Sequence, residues 1–253
     1  MNIQINVLAV VAFCVTALAA APNNMAGQTI IEKLHAGKRD AVLSQLKSSK
    51  KPADIETRDS SGLTPLLWSV VHNDSVLLTQ LVKRGADLGA QSRSGMSTLM
   101  AAAYAGNENM LLYLLQLGAP INLRDSKGRT ALIVAASKEN TNCVSYLVEA
   151  GSDLEARDKA GNTPLMTACG NRHLNILMEL LQAGADPNGR DLQGRTPLML
   201  LAVLGEDEMM RELLMRKPDL EAQDNALKTA LAYARQHNRQ LCIEVLERAG
   251  AKR

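Results

Sequence analysis

Four histidines and a few cysteines are the residues of this chain best suited to catalysis or to metal binding. The histidines, His35, His72, His173 and His237, are scattered along the chain and have no repeated partner. Zinc sites use pairs of Cys or His a few residues apart, and the sequence contains no such spacing. We therefore predict no catalytic residue, no metal ligand and no cofactor.

The known motifs of phosphate binding and nucleophilic catalysis are also missing. The run "HAGKRD" at 35–40 lacks the upstream glycine and the Ser or Thr of a phosphate-binding loop. A nucleophile elbow does not occur. We predict that the protein is not an enzyme and takes no small-molecule substrate.

Two sets of glycines recur every 33 residues, which shows that the chain is built from repeats. One set is Gly62, Gly95, Gly128, Gly161 and Gly194, with Leu227 in the next place; the other is Gly85, Gly118, Gly151, Gly184 and Gly250, with Lys217 in the one gap. A fixed period of this length is typical of stacked supersecondary units.

A single repeat predicts a turn, a helix, a second helix and an extended stretch. Gly161 follows an aspartate in a turn, and Thr163 and Pro164 suit the N-cap and first position of a helix. Apolar residues at helical spacing between Leu174 and Gln182 predict the second helix. Gly184 then ends it in a left-handed conformation.

These residues resemble the ankyrin repeat, whose core is Thr-Pro-Leu-His-x-Ala. The resemblance covers residues 29–253 in about seven units, of which the first and last are atypical. It implies an all-α repeat solenoid of stacked helix-turn-helix units with β-hairpin-like loops. The usual His after Thr-Pro-Leu is replaced by apolar residues, namely Leu67, Met100, Ile133, Met166, Met199 and Ala232.

The N-terminus predicts export. The first 31 residues carry no charged side chain, and an apolar run from Val7 to Leu18 precedes the small residues Ala19, Ala20 and Ala21. We interpret residues 1–19 as a secretory signal peptide and 20–28 as a linker. An uncleaved membrane anchor is the alternative. Cys14 lies inside the apolar run after Phe13, so we reject a lipoprotein.

The three remaining cysteines leave two interpretations open. Cys143 and Cys242 share a second-helix position with apolar residues of other repeats, and Cys169 occupies a small-residue position. All three fit small buried apolar residues. A disulfide between Cys143 and Cys169, in adjacent repeats, is the alternative.

In the ankyrin family the concave face, made of turn tips and first helices, binds partner proteins. Carried over by register, the resemblance implies that partner-binding residues lie on the first helices at Trp68, Val71, His72, Tyr104, Ser137, Lys138, Asn171, Leu200, Val203, Leu204, Tyr233, Gln236 and His237. Trp68 also has a structural interpretation, as a cover for the first repeats. Tyr113 and Tyr146 share a second-helix position in adjacent repeats. We interpret them first as a structural stacking pair, and second as a convex contact surface for a partner.

Two rows of basic residues follow the turns. We call Arg93, Lys127, Arg129, Lys159, Arg195 and Lys228 the tip cations, and Arg58, Arg124, Arg157 and Arg190 the inner arginines. We expect the inner arginines to pair with aspartates, and the unpaired tip cations either to steer an acidic partner or only to keep the surface soluble. We predict that nucleic acid is not a partner, because aromatic residues are not interleaved with these basic residues and export would remove the protein from that target.

The resemblance and the predicted signal peptide together predict a periplasmic or secreted protein-binding module of the bacterial exported type, monomeric when unbound. We favour a protein that inhibits or restrains an envelope enzyme, such as a cell-wall hydrolase or a toxin, as an immunity protein does. Two alternatives stay open: a non-inhibitory scaffold or assembly factor for an envelope enzyme, and an exported effector that acts in a host cell.

If residues 1–19 are a signal peptide, the mature protein begins at Ala20 or Ala21. Intact-mass measurement of the protein from the envelope fraction of the source cells is expected to show this start. A mass that retains Met1, in membranes, would show that the segment is an anchor.

Overall fold

The computed structural model describes residues 29–48 and 54–252. These residues form fourteen α-helices and no β-strand, with one isolated bridge between Gln91 and Ser97. The predicted all-α repeat solenoid is confirmed. None of the described helices is long and apolar enough to cross a membrane. The predicted signal peptide, 1–19, and linker, 20–28, lie outside the described residues and stay predictions.

The chain divides into two compact units, Met1–Pro120 and Ile121–Arg253. The first unit contains α1 (Ile30–His35), α2 (Arg39–Ser48), α3 (Pro65–Val71), α4 (Ser75–Lys83), α5 (Thr98–Ala105) and α6 (Glu108–Gln116). The second contains α7 (Ala131–Ala136), α8 (Thr141–Glu149), α9 (Pro164–Asn171), α10 (Leu174–Gln182), α11 (Pro197–Leu204), α12 (Asp207–Leu214), α13 (Ala230–Gln236) and α14 (Gln240–Arg248).

A buried hydroxyl begins the first helix of each repeat from α3 onward. The side chain of Thr163, for example, accepts a hydrogen bond from the N–H of Met166 at 3.2 Å, which satisfies one of the donors that a helix start leaves free. The same cap is made by Thr64, Ser97, Thr130, Thr196 and Thr229. These residues therefore set where each repeat's first helix starts.

The core of each unit is aliphatic. The leucine two positions after each cap is buried in every repeat from α3 onward: Leu66, Leu99, Leu132, Leu165, Leu198 and Leu231. The next residue, which replaces the family's histidine, is buried at Leu67, Met100, Ile133, Met166 and Met199 and half-buried at Ala232. Apolar packing thus occupies the position where the usual ankyrin repeat makes histidine hydrogen bonds.

Two repeats break the glycine pattern without changing the backbone. Lys217 and Leu227 stand where the other repeats have glycine, and both adopt left-handed conformations, with φ of 51° and 59°. Such a conformation costs a residue with a side chain about 1–2 kcal/mol relative to its preferred regions. The stacked neighbours therefore impose the turn even where the residue type resists it.

Successive hairpins are joined at their tips by backbone hydrogen bonds. The N–H of Leu192 donates to the carbonyl of Ala160 at 3.0 Å, and the N–H of Lys159 donates to the carbonyl of Lys127 at 2.8 Å. A Cβ at Gly161 would lie 2.7 Å from the Leu192 nitrogen. Glycine at this position therefore permits both the positive φ and the close approach of the next hairpin.

A second row of hydrogen bonds joins the hairpins at their bases. In five places a side-chain oxygen accepts a hydrogen bond from the backbone N–H of the residue 31 positions later. The acceptor and donor pairs are Glu56 and Asp87, Asn122 and Asp153, Glu155 and Asp186, Asn188 and Asp219, and Glu221 and Lys252. In the first unit the residues at the corresponding positions are Gly89 and Pro120. Glycine has no side-chain acceptor and proline no N–H donor, so this one place lacks both the acceptor and the donor of the bond.

Two glycine substitutions separate the cost of backbone conformation from the cost of close approach. Gly161 and Gly184 both have positive φ, 85° and 94°, but a Cβ at Gly184 would meet nothing within 4 Å. Both Gly→Ala changes are expected to cost about 1 kcal/mol of unfolding free energy for the left-handed conformation. Gly161→Ala is expected to cost at least about 1 kcal/mol more, because the added methyl displaces the next hairpin.

Urea denaturation of both variants tests this, with the wild type as reference. Equal shifts of the midpoint for Gly161→Ala and Gly184→Ala would show that close approach of the hairpins contributes nothing.

Candidate functional site

Five aspartates, which we call the turn aspartates, shape the hairpins that carry the tip cations. Asp158 illustrates the arrangement: its Oδ1 accepts the N–H groups of Ala160 at 2.9 Å and of Asn162 at 2.8 Å. The same pattern occurs at Asp59, Asp125, Asp191 and Asp224. One carboxylate oxygen therefore builds the turn, and the other remains for a side chain.

That second oxygen, Oδ2, has a strong partner at four of the five turn aspartates. Arginines bind it at Asp125 (Arg129, Nη2 at 2.7 Å) and at Asp191 (Arg195, Nη2 at 2.7 Å). His35 lies 2.9 Å from it at Asp59, and the hydroxyl of Tyr233 donates to it at 2.6 Å at Asp224. Asp158 differs, since among the residues that the structure describes only the amide of Asn162 reaches its Oδ2, at 3.4 Å.

The inner arginines bind backbone carbonyls of the next hairpin, whereas the sequence predicted aspartates as their partners; among the described residues no ion pair with an aspartate is seen for Arg58, Arg157 or Arg190. Each donates from Nη1 to the carbonyl of the residue 33 positions later, as Arg190 does to Gln223 at 2.7 Å. The other carbonyls are those of Gln91, Arg157 and Arg190, bound by Arg58, Arg124 and Arg157. The planar guanidinium reaches the neighbouring hairpin because the repeats stack in register, and the turn aspartates are already used by the backbone.

The tip cations fall into two groups, whereas the sequence predicted one unpaired row. Arg129 and Arg195 are held by Asp125 and Asp191, and the ammonium of Lys228 donates to Gln236 at 2.6 Å and lies 5.4 Å from the ring of Tyr233. In the described part of the chain, Arg93, Lys127 and Lys159 make no side-chain hydrogen bond or ion pair, and all three are exposed. Only these three are available to steer a charged partner.

Two aromatic–histidine pairs lie on first helices at the same register. The rings of Trp68 and His72 stack at 3.8 Å in the first unit, and those of Tyr233 and His237 lie 6.4 Å apart in the second. Trp68 and Tyr233 are half-buried, and the histidines are exposed. Each pair presents a flat, partly apolar surface to solvent, which is the type of surface that anchors protein partners.

The second unit also carries two adjoining pockets made by its turns and first helices. The larger, of about 390 Å³, is lined by residues that include Arg129, Ser137, Asp158, Asn162, Gly170 and Arg195. The other, of about 360 Å³, is lined by Gln193, Arg195, Asp224, Asn225, Ala226 and Tyr233. Arg195 lies in both, so the two pockets form one surface, which we call the second-unit groove.

A family model described as "Ankyrin repeats (3 copies)" matches residues 17–125, 99–191 and 179–252. The chain belongs to the ankyrin-repeat family. Ankyrin repeats are protein-binding modules, and they are typically non-catalytic. A search of curated proteins found no match for this ankyrin-repeat chain.

The structure brings some of the predicted partner-binding residues together and leaves others apart. In the second unit, Arg129, Ser137, Asn171, Leu200 and Arg195 line the larger pocket and Tyr233 the smaller one. Lys127, Lys138, Lys159 and Leu204 belong to the same unit but line neither pocket. Arg93, Trp68, Val71, His72 and Tyr104 belong to the first unit. The assignment of these residues to a partner stays a prediction.

The sequence-based assignment missed Asp158, Asn162 and Gly170, which line the larger pocket. A signal was present in the repeat register, because Asn162 stands where the flanking repeats have Arg129 and Arg195. The exposure of Gly170 was visible only in three dimensions.

The described residues contain no group of three His, Cys, Asp or Glu side chains that could hold a metal ion. Cys143, Cys169 and Cys242 are free thiols and are buried, so the alternative of a Cys143–Cys169 disulfide was wrong. Burial raises the pKa of Cys169 and raises that of Cys242 to about 11. Thiols protonated at neutral pH and shielded from solvent act as small apolar core residues.

The bond between Tyr233 and Asp224 should stabilise the second unit in a pH-dependent way. Burial raises the pKa of Asp224, but the hydrogen bond from Tyr233 and those from the backbone outweigh it, so the pKa lies below its ordinary value. A carboxylate with a lowered pKa contributes stability above its unfolded-state pKa and loses it as pH falls through the folded-state value.

Tyr233→Phe is therefore expected to lower the free energy of unfolding by about 1 kcal/mol near pH 7. This difference from wild type should vanish in acid, as Asp224 becomes protonated. Urea melts of both proteins between neutral pH and the acid range measure it. A Tyr-to-Phe difference that is the same at both ends of the range would show that the charged form of Asp224 is not involved.

Proposed function

We propose that this ankyrin-repeat protein is exported, binds another protein of the cell envelope through its turns and first helices, and restrains that protein's activity. The observation that carries the proposal is the second-unit groove: two adjoining pockets with an aromatic wall at Tyr233, in a protein-binding family. Its lining offers hydrogen-bonding groups and half-buried apolar surface, which are the materials of a protein interface.

Half-buried aromatic groups are the expected anchors of this interface. Trp68 and Tyr233 each pack on one face against a histidine and keep part of the ring exposed. Tyr and Trp carry a large share of interface energy, because they bury a large area while losing few rotamers. The hydroxyl of Tyr233 is already satisfied by Asp224, so covering this ring leaves no polar group without a partner.

Export is supported by the sequence. The apolar run and the small residues before Pro22 are typical of a signal peptide, and they support the proposal that the protein works in the periplasm or outside the cell. In that compartment, a rigid binding module without catalytic groups can protect the producing cell by covering the active-site mouth of a cell-wall hydrolase or toxin. This role is that of a bacterial envelope immunity protein.

Capture from the envelope fraction of the source organism, followed by titration of the captured protein, tests the proposal. Trp68→Ala and Tyr233→Ala are each expected to weaken binding by about 2 kcal/mol. Met215→Ala is the matched control, because this large side chain is 77% exposed at the end of a second helix. It should bind as the wild type does.

Three outcomes separate the competing roles. A captured enzyme that is inhibited by the wild-type protein and not by Tyr233→Ala supports restraint. An enzyme that is bound without inhibition is the result expected of a scaffold or assembly factor, and recovery of the protein beyond the envelope is the result expected of an effector. If Tyr113→Ala and Tyr146→Ala abolish binding while the first-helix variants bind normally, the partner uses the second helices.

A further inference from the structure

We propose that the larger pocket of the second-unit groove accepts an arginine side chain of the partner protein, whose guanidinium binds Oδ2 of Asp158. The inference rests on the proposed function in one respect, since it assumes that the ligand belongs to a protein. The chemistry of the pocket itself is testable without that protein.

The first argument compares neighbouring turns of the same unit. Oδ2 of Asp125 is bound by the guanidinium of Arg129, and Oδ2 of Asp191 is bound by that of Arg195, each through Nε and Nη2. The residue at the same place in the turn between them is Asn162, whose amide reaches Asp158 at only 3.4 Å. The space taken by a guanidinium in the two flanking turns is therefore open above Asp158.

The second argument is the local charge. Arg129 and Arg195 line the pocket, but their guanidiniums are held by Asp125 and Asp191. Asp158 is the one carboxylate of the lining, and no cation of the described residues binds its Oδ2. Lys159 follows Asp158 in sequence, but it is exposed and does not line the pocket. One added cation would give Asp158 the kind of partner that the two flanking aspartates have.

The third argument is the room above Asp158. Gly170 lies in α9 with no positive φ and is exposed, and a Cβ there would meet nothing within 4 Å. Glycine inside a helix costs about 0.5–1 kcal/mol relative to alanine, and neither backbone conformation nor packing within this chain requires it. Its missing side chain leaves the pocket open on the helix side, where the stem of a long side chain can lie.

The remaining lining suits an arginine stem. Ile133, Met166 and Leu200 provide apolar contact for the methylene groups, and Asn162 and Asn171 provide carbonyl oxygens for the guanidinium N–H groups that Asp158 does not bind. Guanidinium is favoured over ammonium, because its planar fork satisfies several acceptors at once.

The test uses N-acetyl-arginine-N-methylamide as the probe, titrated into the ¹⁵N-labelled full chain and followed by NMR. We expect saturable shifts at the amides of Asp158, Asn162 and Gly170. Because one half-exposed ion pair contributes up to about 1 kcal/mol, Asp158→Asn should raise the dissociation constant of the probe by about fivefold. The glycine, lysine and glutamate analogues, which share the probe's backbone, measure the contribution of the side chain.

Two further variants show whether a loss of probe binding comes from the pocket itself. Asn162→Arg gives Asp158 the internal partner that the flanking turns have, so it should fold and should abolish probe binding. Asp153→Asn, an aspartate in the same unit that also caps a turn but does not line the pocket, should leave binding unchanged. Thermal unfolding of each variant confirms that it is folded.

Unchanged binding in Asp158→Asn and Asn162→Arg, or equal binding of the glutamate analogue, would overturn the proposal. Equal binding of the lysine analogue would overturn the choice of guanidinium. Failure of this inference is distinct from failure of the proposed function: a captured partner that depends on Tyr233 but not on Asp158 rejects only the arginine pocket. A probe that binds as expected, with no partner captured, rejects only the proposed function.

Discussion

Within each unit, hydrogen bonds from one hairpin to the backbone of the next are the constraint on which the rest of this structure depends. The inner arginines reach a carbonyl 33 residues later, the tips share backbone bonds, and side-chain oxygens at the hairpin bases accept an N–H 31 residues later. Since the partner atoms belong to the main chain, the spacing of neighbouring repeats does not depend on which side chains the next repeat carries. The glycine at each tip is part of this constraint, because a Cβ at Gly161 would touch the following hairpin.

Because main-chain bonds set the spacing of the repeats, the surface side chains can vary from repeat to repeat. One oxygen of each turn aspartate belongs to the backbone, and the other takes whatever side chain its repeat supplies: a histidine, an arginine or a tyrosine. Asp158 is the turn aspartate whose repeat supplies only a distant amide. A difference of one residue, Asn162, thereby changes a satisfied turn into a pocket with an available carboxylate. Local differences of this kind give a repeat protein its specificity, because the framework around them is unchanged.

In the first helices too, the residues that build the fold differ from those that face solvent. Thr163 and its equivalents fix the start of each first helix, and the leucines behind them fill the core, so the solvent-facing positions of those helices are needed for neither the cap nor the core. Trp68 and Tyr233 stand at such positions and meet histidines one turn later. Their rings are consequently free to contact a partner without a loss of core packing.

The sequence by itself determined the repeat, its period, the order of helices and the residues of the core. These features depend on local chemistry that recurs: a turn aspartate, a glycine, a Thr cap and leucines at helical spacing. The sequence also shows that apolar residues replace the family histidine, and their apolar character is consistent with the buried positions that Leu67 and Met166 occupy. The buried state of the cysteines was one of two open interpretations, and the structure decided it.

Only the tertiary structure decided which charges are free and where the pockets lie. The pattern of basic residues predicted inner arginines bound to aspartates and an unpaired tip row, but Arg129 and Arg195 hold the aspartates and Arg190 binds a carbonyl. A side chain's partner depends on distances between hairpins that are far apart in sequence, and these distances follow from stacking. For the same reason Asp158 and Gly170, unremarkable in the sequence, became lining residues of one pocket, because only folding places the turn and first helix of their repeat between those of the two neighbouring repeats.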